Sequence, residues 1–253
     1  MRRRALLVAG VVVLAGLVGF GLWVWLSGRS STPISERRAL SDYRAREGAG
    51  QAPLAGAPRP GVYTYAATGS ERGGLGPVQL GRGLPKEARY IVSPVPGGFE
   101  AELDLSAQHI EAARFRVDRR GLVETWTRTK ITLVGIGADD RRSLQPAPLW
   151  MPRDPHPGQS WHASYRAGDL RITTSSRAVR RATVSVDGRN VPTVVVLIHT
   201  VTAGPHSGTR DETLWWSPSL ALPVRHDIRM DIGGAVSFRS RAELALTSLA
   251  PQT

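Results

Sequence analysis

A chain of 253 residues without a single cysteine is not stapled by disulfides, holds no thiolate zinc site and carries no lipid on a cysteine. Its 27 glycines and 18 prolines, with only 6% aromatic residues, argue against a long helical bundle and suit strands joined by many turns. The net charge of +12 is almost all arginine, Lys86 and Lys130 being the two lysines, and half of it lies in residues 1–59; the rest is scattered among acids, so no concentrated nucleic-acid face is expected.

Arg2, Arg3 and Arg4 precede an uninterrupted apolar run from Ala5 to Leu26. At ~1.5 Å per residue that run reaches about 33 Å, enough for a hydrocarbon core of roughly 30 Å. The arginines keep residues 1–4 in the cytoplasm and send the chain beyond the run outward. Trp23 and Trp25 fall where an aromatic belt would meet the outer interface. The run is longer than the ~7–15 residues of a signal peptide and ends on bulky side chains, so an uncleaved transmembrane helix over 5–27 is expected, in a single-pass protein of the cell membrane. Residues 28–60 read as a flexible tether. Ser35 can cap a short helix within it, through Ile34 to Tyr43, which Gly48, Gly50 and the prolines Pro53, Pro58 and Pro60 would end.

From 61 to 250 the period becomes two, the mark of strands with one buried face. Strands are predicted near Val62–Ala67, Arg89–Val95, Phe99–Leu105, Ala112–Val117, Leu122–Val134, Trp161–Tyr165, Asp169–Arg177, Ala182–Val186 and Thr209–Trp216. Val191 to Thr202 is apolar at both parities, as a strand covered on both faces would be. The last pair is plainest: Val224, His226, Ile228, Met230 and Ile232 alternate with charged residues, and after Gly233-Gly234 the run Val236 to Leu246 alternates again. The prediction is a mainly β domain of roughly ten antiparallel strands, a curved sheet or open half-barrel, without the βαβ rhythm of a parallel sheet. No repeat of fixed period suggests a propeller.

His226 lies on the dry face of the last hairpin and His199 within the apolar run, where each is either a satisfied core histidine or a polar anchor in a hydrophobic cavity. With Trp216, Met230 and Phe238 they form the candidate ligand-binding set. Trp215 and Trp216 must point to opposite faces of their strand, and the outward one needs a cover. His109 and Glu111 share a side but lack a third ligand, so no metal and no cofactor is expected. Asp139-Asp140-Arg141-Arg142 reads as a solvated loop. No G-x-S-x-G elbow or other nucleophile motif appears, and an enzyme is not expected.

At Gly61-Val-Tyr-Thr-Tyr-Ala-Ala-Thr-Gly-Ser-Glu71 and Leu149-Trp-Met-Pro-Arg-Asp-Pro-His-Pro-Gly-Gln-Ser-Trp161, the chain resembles uncharacterised membrane-anchored extracytoplasmic proteins of actinobacteria. Those proteins combine an apolar helix, a tether and a β domain. That pattern often has cysteines near the positions of Phe99 and Tyr165, so its disulfide does not carry over. The meander of long strands is similar to the half-barrel of LolA-like lipoprotein carriers. The resulting expectation is a non-enzymatic envelope protein, membrane-bound through residues 5–27, that takes a lipid or other hydrophobic ligand. A protein-interaction scaffold with an envelope partner is the alternative and a hydrolase the third; nucleic acid is not an expected partner.

Overall fold

The computed structural model describes residues 31–46, 52–75, 78–133, 136–234 and 236–253. The predicted cytoplasmic residues 1–4 and transmembrane span 5–27 lie outside the described residues. Among those described, no helix is long and apolar enough to cross a membrane.

Among the described residues, fourteen strands follow one short helix. In chain order they are β1 (Gly61–Leu75), β2 (Val78–Gly83), β3 (Glu87–Val95), β4 (Gly98–Ser106), β5 (His109–Val117), β6 (Gly121–Leu133) and β7 (Ile136–Gln145), then β8 (Leu149–Pro152), β9 (Ser160–Ala167), β10 (Leu170–Val186), β11 (Arg189–Ala203), β12 (Ser207–Ser217), β13 (Leu222–Gly233) and β14 (Val236–Leu246). The sheet is not open. β14 returns to pair with β1 from Tyr65↔Leu246 to Leu75↔Val236, closing an antiparallel ring of twelve strands with β2 and β8 attached to β1 and β6. This corrects the predicted half-barrel. The cause is the length of β1, whose first residues pair with β3 while its last pair with both β2 and β14. Closure pairs β14 with β1 over eleven residues, so neither is left as the open edge of the sheet.

Three strands were not anticipated, and two predicted ones are one. The bulge between Ala178 and Arg180 shifts the alternation in mid-strand, so β10 reads in sequence as two pieces. The predicted loop Asp139–Arg142 lies inside β7, where its charges are partnered: Arg128 donates to Asp139 and Arg142 to Asp140, at 2.7 and 2.8 Å. β11 is covered on both faces only in part. Val194, Val195 and Val196 are buried, but Leu197 and Val201 remain 44% and 42% exposed on the outer wall, because Ile198, Thr200 and Thr202 are the side chains turned into the lumen.

The two ends of the barrel differ. At one end the rings of Phe99, Phe115, Trp150 and Trp216 touch in sequence, with centroids 5.2, 5.0 and 5.5 Å apart, and together with Leu122, Met151 and Leu222 they form a floor. At the other, Leu170, Thr202, Gly208 and Ile232 face the lumen and are all partly exposed. That end is the mouth.

Helix α1 (Glu36–Arg44) lies on the outside of the wall. Ser35, extended at φ −66° and ψ 148°, caps it by accepting from the Arg38 N–H at 3.3 Å, and Glu36 and Arg44 match the helix dipole at either end. Its apolar stripe buries Ala39 and Tyr43 against Val62 and Ile91. Beyond it, Arg46 donates to Glu102 at 2.5 Å. Before it, Thr32 exchanges hydrogen bonds with Gln108 at 2.9 and 3.0 Å and accepts from the Ala107 N–H at 2.9 Å. Within the stretch read as a tether, residues 31–46 are therefore a strap on β1, β3 and β4, and its first residues sit by the β4–β5 turn at the mouth.

Candidate functional site: a cavity in the barrel lumen

Eight strands close a barrel that side chains can fill; twelve enclose more space, and here the lumen is half filled and half hollow. The filled half holds a chain of buried charges. Arg82 donates to Glu71 at 2.7 Å; Glu71 is bonded to His109 Nδ1; His109 Nε2 lies 3.1 Å from Glu111. Arg210 then donates to Glu111 at 2.9 Å and to Glu212 at 3.0 Å, and Glu212 lies 2.8 Å from His226 Nε2. β5 and β12 are diametrically opposed in the ring, so Glu111 and Arg210 make a crossbar through its middle.

Burial penalises each of these charges, and only pairing sustains them. It opposes the imidazolium of His109, yet the hydrogen bonds to Glu111 and Glu71 outweigh it and push His109 up to about 9. Burial would raise Glu212, but Arg210 and His226 hold it at about 2. Glu111 is likewise kept well below the usual carboxylate range by Arg210 and His109, against its burial. Burial opposes Glu71 too, and His109 and Arg82 bring it down. The cations Arg82, His109 and Arg210 thus balance the carboxylates Glu71, Glu111 and Glu212.

Beside the crossbar lies a cavity of about 320 Å³, walled by Leu170, Ile172, Ile198, Met230 and Ile232 with the hydroxyls of Thr127, Thr174 and Thr200, and floored by Phe115 and Trp150. Glu124 of β6 faces it without a hydrogen bond or ion pair from any described side chain. Burial, reinforced by the charge of Glu212, pushes its carboxyl up to about 8. Glu124 also borders a side chamber of about 20 Å³, under Trp150, Trp161 and Tyr165. The Ser176 hydroxyl lines the same chamber, buried and without a partner. This lies next to the narrowest joint of the ring, where β7 and β9 share only the pairs Leu144↔Ala167 and Gln145↔Arg166.

The five predicted ligand residues are dispersed. His226 and Met230 line the cavity. Trp216 belongs to the floor, against Trp150. Phe238 points inward but packs edge-on against His109, with centroids 5.5 Å apart. His199 is on the outer wall, exposed, and paired with Asp211 at 2.6 Å, neither in the core nor in the cavity. The outward Trp215 is covered by the Arg225 guanidinium 4.5 Å from its ring. Glu124, Tyr165, Ser176 and Arg210 were not anticipated. Glu111, Arg210 and Glu212 share the inward parity of Phe115, Leu214 and Trp216, and that conjunction of charge with a dry face was the available signal.

Outside, Ser175 is bonded to His162 at 3.1 Å while Asp211 is bonded to His199. A serine, a histidine and an aspartate therefore occur side by side without forming one relay, on strands whose N–H groups serve the ladders. Among the described residues no three His, Asp or Glu side chains converge as a metal set.

No protein-family model matches the sequence, and no curated protein matches it. Among solved structures the chain is similar to the hypothetical lipoprotein YmcC of Escherichia coli, with 10% identity and a TM-score of 0.35 over 83% of this chain and 97% of that one. The likeness is a distant one of shape and carries nothing about function.

Proposed function

We propose that the protein is a non-enzymatic, membrane-anchored envelope protein that binds an apolar or amphipathic ligand inside its barrel. The observation that carries this reading is the hollow half of the lumen: about 320 Å³ with aliphatic walls and a few convergent polar groups. That volume is at the lower end of the roughly 300–1,000 Å³ usual for ligand sites, which suits one chain or ring system.

The strap adds a direction. Thr32 is fixed at the mouth, and the apolar run ends at Leu26. The links from Leu26 to Ser31 reach at most ~18 Å when extended, so an anchor over 5–27 keeps the mouth close to the bilayer. A ligand drawn from the membrane then enters with little passage through water. The scaffold reading has one observation in its favour, the exposed Leu197 and Val201 on β11, but two side chains make a small patch.

Native mass spectrometry of the full chain from its own host's envelope tests the proposal. One small hydrophobic molecule per chain, recovered by solvent extraction, is the expected result. A bare chain mass together with a stoichiometric protein partner would replace the carrier with the scaffold.

A further inference from the structure

In a ligand-binding lumen of the kind proposed above, on which this inference rests, the floor of the cavity narrows the ligand's chemistry further than the walls do. The crossbar is electrically closed, each of its three carboxylates lying against an arginine or His109. Glu124 stands outside that balance as a surplus carboxyl, with no donor from any described side chain. In the same side chamber, the Ser176 hydroxyl is 3% exposed at its residue and unpartnered. Buried polar groups are almost always satisfied; the Ser176 oxygen is not, and with the Glu124 carboxyl bordering the same small space it marks a place for a hydrogen-bonding group. The chamber of about 20 Å³ has room for a group the size of a water molecule or an ammonium.

The rest of the chamber favours the ammonium. Trp150, Trp161 and Tyr165 are among its other walls, beside Leu149, Ala163, Thr174 and Ile198, and aromatic rings attract cations. A carboxylate-headed ligand would meet Glu124, Glu212 and Glu111, with Arg210 the one opposing cation and already engaged by Glu111 and Glu212. We infer that the ligand is an amphipathic amine, its ammonium seated between Glu124 and Ser176 under the three rings and its apolar tail lying along Ile198, Ile172, Met230 and Ile232 towards the mouth. The ammonium donates hydrogen bonds to the Glu124 carboxylate and to the Ser176 oxygen and completes the charge balance. No bond is made or broken.

Protonation fits the same geometry. The groups facing Glu124 are Glu212 and Arg210 of β12, Glu111 of β5 and Tyr165 of β9, with His226 of β13 behind Glu212. With its carboxyl pushed up to about 8, Glu124 holds its proton in the empty lumen at neutral pH, and an ammonium beside it displaces that proton. Amine affinity therefore rises from about pH 7 to about pH 9, across the Glu124 titration.

Isothermal titration of the full chain in nanodiscs, with empty nanodiscs as blank, tests this with octylamine, octanol and octanoate. Octylamine is expected to bind about 10-fold or more tighter than either of the others, the usual scale of a charge-assisted contact. Glu124→Gln, of the same shape, should remove that preference while leaving octanol binding unchanged, and should raise the thermal midpoint above neutral pH because no buried carboxyl is left to ionise; Leu197→Ser on the outer wall should change nothing. Equal binding of all three, or a preference for octanoate, would overturn the amine while keeping the ligand cavity. Amine selectivity that survives Glu124→Gln would overturn its seat. If none of the three binds, the ligand reading itself fails.

Discussion

Arg210→Met is expected to lower the free energy of unfolding by about 3–5 kcal/mol, the usual cost of removing one partner from a buried ion pair. Methionine keeps much of the length of the side chain and its packing, so the loss is mainly electrostatic. Without the guanidinium, Glu111 and Glu212 lose the cation that joins them across the lumen, with the Glu124 carboxyl near enough to feel the charge of both. Arg241→Met is the control. Its partner Glu243 is 3.8 Å away and both side chains are about half exposed, so it should cost under ~1 kcal/mol. Urea unfolding of the two variants beside the parent measures the difference. Equal costs would mean that the crossbar does not brace the barrel.

The second large effect is on pH. Stability is expected to peak on the acid side of neutrality, near pH 5, and to fall by several kcal/mol towards pH 9, each group contributing roughly 1.4 kcal/mol for every pH unit between its unfolded and folded pKa. Three groups act together. Burial, and then the charge of Glu102, push Asp104 up to about 8, and Glu124 reaches about 8. For both carboxyls the folded protein keeps a proton that the unfolded chain has lost, so stability drops as pH rises from their ordinary values to about 8. His109, raised to about 9, contributes stability in full below its unfolded value of roughly 6.5 and loses it as pH climbs through 9. On the other side Glu71, Glu111 and Glu212 are lowered. Their contribution is present above the ordinary glutamate value and is lost as pH falls through their folded values. Melting curves from pH 3 to 9 decide it; a plateau to pH 9, or a maximum near 8, would contradict the assignment.

How much of this could be read in the sequence differs by element. The alternation Val224 to Ile232 and Val236 to Leu246 declared β13 and β14 outright, and they pair as a hairpin. Closure was illegible because nothing local tells β14 that its second neighbour is β1; the match Tyr65↔Leu246 spans nearly the whole described chain. His199 was misplaced for a reason of parity. Along β11 it shares a side with Leu197 and Val201, which looks like the dry side, while the other carries Thr200 and Thr202. In a sandwich that rule holds, but a barrel with a polar lumen turns threonines inward and leaves aliphatics on an uncovered wall. The crossbar escaped along with the closure. Glu71, Glu111 and Arg210 belong to three different strands, and only the ring brings them together. Helix α1 was legible from its cap at Ser35, whereas its docking on Val62 and Ile91 was not, since the prolines and glycines around it suggested a free tether.

The central claim is that the lumen is a binding site. The direct measurement is the fluorescence of an apolar probe, 1-N-phenylnaphthylamine, titrated with the full chain in nanodiscs in the parent, in Thr200→Phe, which fills the middle of the cavity, and in Leu197→Ser on the outer wall. Saturable one-to-one binding that is lost in Thr200→Phe and kept in Leu197→Ser is the expected result. Binding kept in Thr200→Phe and lost in Leu197→Ser would place the apolar site on the outside of the barrel and contradict it.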